Sequence, residues 1–263
     1  MAGVIDLGEG AREVLARPAT GRVVAVYRRA AYLRLGGRLV ALVSAGIPSG
    51  PLHLRCSTIP ALRVGESVAG DGTRLAGGAW ALRCDGPVWH GALPGREALA
   101  RRADDALVRA GLHPDTERLA APLGDGGLEG VEALAAAVGG RGPGLTPSGD
   151  DLLAGVLVVA RLAWGPAARG RLDAVLAAVR TTEVAGAFLA WAARGQSVAP
   201  AHDWLVAVAA GDRPAGEAAL RRLHAMGASS GRHLAAGLAL GVAQLPRVES
   251  QTARVGISPG LLH

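Results

Sequence analysis

Residues 142–151 read Gly-Pro-Gly-Leu-Thr-Pro-Ser-Gly-Asp-Asp and lead straight into an apolar stretch at 152–160. This places stiff prolines, glycines, two hydroxyls and two carboxyls at one helix start. Pro143 and Pro147 fix φ and remove amide donors, while Gly142, Gly144 and Gly149 permit backbone geometry or close approach that a Cβ would forbid. Thr146 is the expected N-cap, with Pro147 at the first helical position. A helix start with free N–H groups, the Ser148 hydroxyl and little side-chain bulk suits a phosphate or carboxylate. Asp150 and Asp151 would repel a bare anion, so three roles are open to them. They bring Mg²⁺ to it, orient a hydroxyl or amide, or simply favour the helix dipole. As chemistry, Asp150, Asp151 and Ser148 are the candidate catalytic groups, and the two aspartates are the ligands of any metal.

Two other segments repeat the pattern. Thr181-Thr182 precedes a helix, and Gly227-Ala228-Ser229-Ser230-Gly231 precedes another that carries His233 one turn in. If the three starts point to one cleft, they form a preformed site for a small anion. Gly142, Gly144, Thr146, Gly149, Thr181, Thr182, Ser229, Ser230, Gly231 and His233 are then the binding residues. Each hydroxyl pair taken alone reads as an ordinary N-cap. The denser 142–151 run asks for more than a cap.

The elements that must position these residues fall into two halves. Segments 23–27, 32–35, 39–43, 52–56 and 79–82 read as strands separated by Gly-containing turns, with Gly36-Gly37 as a hairpin and a short helix at 11–17. From residue 95 the hydrophobic period becomes helical. Helices are expected at 97–110, 130–138, 152–163, 171–180, 183–194, 203–210, 216–224 and 232–244. The expected fold class is α+β: an antiparallel sheet or small barrel over 1–94, a helical domain over 95–245, and a polar tail over 246–263.

At 263 residues and 50% hydrophobic, the chain can bury a sizeable core. With aromatics at only 3%, that core must be built from Ala, Val and Leu. The formal charge of +6 is carried by scattered arginines, among them Arg28-Arg29, Arg101-Arg102 and Arg221-Arg222, and no lysine is present. Scattered arginines with few stacking aromatics argue against nucleic acid and suit small anionic substrates. Cys56 and Cys84 are too few for a disulfide framework or a zinc site, and a cytoplasmic protein is expected, with neither signal peptide nor membrane span. His53, His90, His113, His202 and His224 lack metal-ligand spacing. Asp104-Asp105 reads as a solvated helix face, and 124–127 as a turn.

The run 142–151, followed by Leu153 and Gly155, closely resembles the signature of a bacterial family catalogued as domain of unknown function 2877. That family includes a subunit of oxamate carbamoyltransferase from anaerobic allantoin breakdown. Ala41-Leu42-Val43 with Gly50-Pro51 beyond looks like the family's N-terminal part, and Gly227–Gly231 with Ala236 and Gly237 like its second element. The resemblance implies carbamoyl transfer between oxalurate and phosphate, within a hetero-oligomer of carbamoyltransferase subunits. On this resemblance the chain reads as a diverged member. Val24-Ala25, Tyr32, Ala228 and His233 stand where the family pattern has His-Ser, Asn, His and Asp. A non-catalytic binding or scaffold subunit, and a Mg-dependent phosphotransferase, are the alternative functions.

Overall fold

The computed structural model describes residues 2–112, 121–123 and 127–254. His113, residues 124–126 of the expected turn at 124–127, and the end of the tail, 255–263, lie outside the described residues. The chain divides into two compact units, Met1–Gly91 with Gln196–Ala199, and Ala92–Gly195 with Pro200 onward.

The first unit is a barrel. Its elements are β1 (Ala2–Gly8), α1 (Glu9–Leu15), β2 (Ala19–Val26), β3 (Ala30–Leu35), β4 (Arg38–Ser44), β5 (His53–Cys56), β6 (Ser67–Gly70), β7 (Arg74–Ala76), β8 (Ala81–Arg83) and β9 (Val88–Trp89). The hydrogen-bonded order is β5-β4-β3-β2-β6-β7-β8-β1, and β1 pairs with β5 to close eight strands into a ring, with β9 joined to β1. Closure removes the unpaired edges that an open sheet would expose. Strict alternation of buried and half-buried positions along β3 sends Ala31, Leu33 and Leu35 inward. Leu33 and Leu35 join Leu7, Val23, Leu42, Leu54, Val68, Leu75, Leu82, Cys56 and Cys84 in one core, with Ala11, Val14 and Leu15 of α1. Both thiols are therefore small buried hydrophobes, and burial raises the Cys56 thiol to about 12.

The barrel is mixed rather than purely antiparallel. β4–β5, β1–β8 and β1–β9 are parallel pairs. Between β4 and β5 the chain carries Gly46, Pro48, Gly50 and Pro51, and it crosses back instead of making a hairpin. A half-buried Arg-Asp pair on the strand faces turned away from the core fastens this crossing. Arg55 Nη1 donates to Asp6 Oδ2 at 2.6 Å, Ser49 Oγ donates to Asp6 Oδ1 at 3.0 Å, and Arg55 Nη2 donates to the Ala45 carbonyl at 2.9 Å. Asp6 lies on β1, the closing strand, which alternation alone did not single out.

The second unit is helical. It contains α2 (Arg96–Ala100), α3 (Ala106–Gly111), α4 (Leu128–Val138), α5 (Ser148–Trp164), α6 (Arg169–Ala178), α7 (Glu183–Ala192), α8 (Ala199–Ala210), α9 (Arg213–His224) and α10 (Ser230–Arg254). Two expectations change. The helix expected over 97–110 is broken, because the Asp105 side chain accepts the Leu107 amide at 2.9 Å and starts a new helix. Asp105 is thus a cap and not part of a solvated face. The last helix does not stop at Gln244 but continues through Pro246 to Arg254.

The most extensive helix pairing is α5 with α10. At their crossing the two backbones touch: a Cβ built on Gly237 would sit 2.0 Å from the Leu152 carbonyl oxygen, and one on Gly155 would sit 2.4 Å from that of Leu234. No side-chain adjustment relieves a clash with backbone, so Gly237→Ala must push the helices apart. Overpacking of this kind costs about 3 kcal/mol. Urea denaturation is expected to show that loss, with an unchanged midpoint as the contrary result.

Candidate functional site

The loop before α5 is shaped by glycines in the left-handed region. Gly140 has φ +70° and Gly142 φ +123°. A Cβ on Gly140 would lie 2.0 Å from the Arg180 carbonyl oxygen, and one on Gly142 would lie 2.7 Å from both the amide nitrogen and the Oγ of Ser148. The chain therefore folds back over Ser148. Residues 141–144 form an exposed crest, Leu145, Thr146 and Ser148 are half-buried, and Pro147, Gly149 and Asp150 are buried.

The cap geometry differs from the sequence expectation. Pro147 itself occupies the N-cap, α5 begins at Ser148, and no side chain caps it. Thr146 is one residue too early and instead lies 3.0 Å, Oγ1 to Oγ, from Ser230. Part of the expected free backbone is also spent. The Gly149 amide donates to the Arg141 carbonyl at 2.9 Å, and the Asp150 and Asp151 amides return to Pro147 at 2.9 and 3.1 Å. The Ser148 amide has no such backbone acceptor among the described residues.

Asp150 and Asp151 are neighbours with unlike surroundings. Asp150 is 2% exposed, and a donor sits on each of its oxygens. The Gly140 amide reaches Oδ1 at 2.7 Å, and the Thr181 hydroxyl donates to Oδ2. It is a clamp between the loop, α5 and the start of α7. Asp151 is half-buried as a residue, yet its Oδ2 is sealed from solvent and has no hydrogen-bond partner. Burial pushes its carboxyl up to about 7, the Ser230 hydroxyl bond pulls it down, and the nearby Asp150 adds to the rise. A carboxyl in that range can accept or release a proton near neutrality.

The other two helix starts meet the first through direct bonds. Thr182 caps α7 by accepting the Ala185 amide at 3.0 Å, and its hydroxyl also donates to the Leu145 carbonyl. Ser230 meets Thr146, and its hydroxyl acts to lower the pKa of the Asp151 carboxyl. The Ser229 carbonyl accepts the Arg232 and His233 amides, and His233 Nδ1 lies 3.0 Å from the same oxygen. Gly231 is a packing residue, since a Cβ there would fall 1.7 Å from the Leu223 carbonyl oxygen. Thr181, Thr182, Thr146, Ser230, Asp150 and Asp151 are thus brought together. His233 is turned to its own helix, and Ser229 and Gly144 are exposed. Gly140 was missed by sequence reasoning, although its place two residues before Gly142 was a signal that the tight turn starts earlier.

Two concave regions of this unit share no residue with the cluster. One lies between α4 and α6, lined by Ala135, Ala136, Ala174, Val175 and Ala178, and another beside Val156, Val159, Gly241 and Gln244. Among the described residues no group of three His, Cys, Asp or Glu could hold a metal. Nor does the aspartate pair suit Mg²⁺, because Asp150 is enclosed with a donor on each oxygen and only Asp151 is left to bind. The expected histidine roles are also modest. His53 and His202 are buried, with Nδ1 at 2.8 and 2.9 Å from the carbonyls of Pro48 and Ala92, and burial lowers both pKa values.

Among the described residues, no helix is long and apolar enough to cross a membrane. Residues 138–242 match the family model described as oxamate carbamoyltransferase subunit AllH. The match begins at the end of α4 and takes in the loop, α5, α7 and most of α10, so every member of the hydroxyl and carboxyl cluster falls within it. Comparison with curated proteins and with solved structures gives no match.

Proposed function

We propose, from the AllH-like character of residues 138–242, that this chain is a subunit of a carbamoyltransferase and that the loop 142–151 docks a small anionic carboxylate or carbamoyl compound together with phosphate. The reaction is transfer of the carbamoyl group between oxamate nitrogen and a phosphate oxygen. Such a transfer needs a donor for the oxygen of the attacked carbonyl, a cradle for phosphate and a group that exchanges a proton at nitrogen. The Ser148 amide and hydroxyl under the exposed crest supply the first two kinds of contact. Asp151 supplies the third. Asp150, Thr181 and Thr182 hold the loop in shape, which keeps these groups pre-organised.

The single observation that carries this reading is the network itself: three helix starts tied around two aspartates, wholly inside the AllH-like stretch. Partner subunits of the same enzyme would complete the site. The test is calorimetric titration of the full chain with phosphate, oxamate and carbamoyl phosphate. Ser148→Ala is expected to weaken binding about tenfold, the effect of losing one hydrogen bond to a charged ligand. Equal binding by the variant and the parent removes the loop from the site. Lack of binding by the parent leaves the scaffold reading, in which the same hydroxyls serve only to join helices.

A further inference from the structure

Three groups of the cluster form a line that hydrogen-bonded architecture alone does not require. Thr146 Oγ1 lies 3.0 Å from Ser230 Oγ, and the Ser230 hydroxyl is the group that acts to lower the pKa of the Asp151 carboxyl. They come from three elements: the loop, α10 and α5. At the inner end, Asp151 Oδ2 is sealed and unpartnered. A structural carboxyl in such a place would be expected to find donors for both oxygens, as Asp150 does. A hydroxyl can donate and accept at once, so two hydroxyls in series can reverse the sense of every bond along the line.

Resting on the carbamoyltransferase reading above, we propose that Thr146 and Ser230 relay a proton between Asp151 and the nitrogen of the transferred group, with Asp151 as the proton store. The balance closes without any further reactant. When hydrogenphosphate attacks carbamoylated oxamate, a C–O bond forms to phosphate and the C–N bond breaks. The electron pair stays on the leaving oxamate nitrogen. That nitrogen takes the Thr146 hydroxyl proton, Thr146 takes that of Ser230, and Ser230 takes that of protonated Asp151. The proton released by the phosphate restores Asp151. In the opposite direction each step reverses, and Asp151 receives the proton lost by oxamate nitrogen. The charged group acting on Asp151 is Asp150 of its own turn. From α10 it meets the Ser230 hydroxyl, while His233 is turned to the Ser229 carbonyl. Near-neutral titration of Asp151 fits a store that both gives and takes at physiological pH.

The relay is tested separately from the reaction. In the free full chain, carboxyl-carbon NMR follows the aspartates with no ligand present. One carboxyl should titrate near neutrality and be missing from Asp151→Asn. Ser230→Ala should raise its midpoint by about half a pH unit or more, because a donor to the charged form is lost. Ser230→Thr should restore it. Thr146→Val should move it in the same direction by less, and an unmoved midpoint there breaks the line and overturns the proposal whatever the ligand. The second arm is titration with oxamate and with phosphate in buffers of unlike ionisation heat. The parent should exchange a proton on binding and Asp151→Asn should not. Binding without proton exchange overturns the relay, whereas no binding at all overturns the carbamoyltransferase reading and removes the relay's recipient.

Discussion

Asp151→Asn is expected to fold more stably than the parent at pH 8 and equally well near pH 4. The folded carboxyl is pushed up to about 7, from 3.8 when solvated. Between those values the native state keeps a proton that the unfolded chain releases. Stability from this group therefore falls as pH rises through the window, and the full cost is present above about pH 7. A rise of this size corresponds to about 4 kcal/mol at one pKa unit per 1.36 kcal/mol. Part of that is offset in the variant, since an asparagine leaves an amide atom in the sealed Oδ2 position. A net gain of about 2 kcal/mol at pH 8 is expected. Urea denaturation of both proteins at several pH values measures it, and parallel stability curves would show that the carboxyl is not perturbed. A residue that weakens its own fold at working pH is a sign of a group kept for its chemistry.

Asp150→Ala should do the reverse and destabilise strongly. Its removal leaves the Gly140 amide and the Thr181 hydroxyl facing a small void with no acceptor, at a cost of about 3 kcal/mol or more. Asp150→Asn should cost only about 1 kcal/mol, because the side-chain carbonyl can take the Gly140 amide while the NH₂ group donates to a Thr181 hydroxyl that turns to accept. The pairing is decisive. With Thr181→Val already in place, the Asn substitution loses its compensating partner, and the two costs should no longer add. Thermal or chemical denaturation of the four proteins gives the coupling. Equal losses for Ala and Asn would mean that the aspartate acts by charge and not as a two-oxygen clamp.

These two neighbours show how much of the site was legible. Proline, glycine and hydroxyl types at 142–151 announced a shaped loop, and the later Thr181-Thr182 and Ser229-Ser230 pairs announced further helix starts. Local chemistry could not divide the work between Asp150 and Asp151, since both stand in the first turn of α5. One residue of helical advance, about 100° of rotation, turns Asp150 to Gly140 and Thr181, and Asp151 to Ser230. Thr146 is a similar case. Its type suits a cap, but Pro147 takes that place and frees the hydroxyl for a contact 84 positions away in sequence.

The same division runs through the fold. Hydrophobic period and turn residues by themselves determined a strand-rich first part, a helical second part and the hairpin at Gly36-Gly37, because these are near-neighbour effects of backbone sterics and burial. Strand direction, the closing pair β1–β5 and the glycine contact of α5 with α10 were decided only by tertiary structure. Alternation says which face of a strand is buried but not which neighbour it meets or in which sense. Likewise, a hydroxyl's type says that it can donate and accept, and only the packing of three distant helix starts decides with whom.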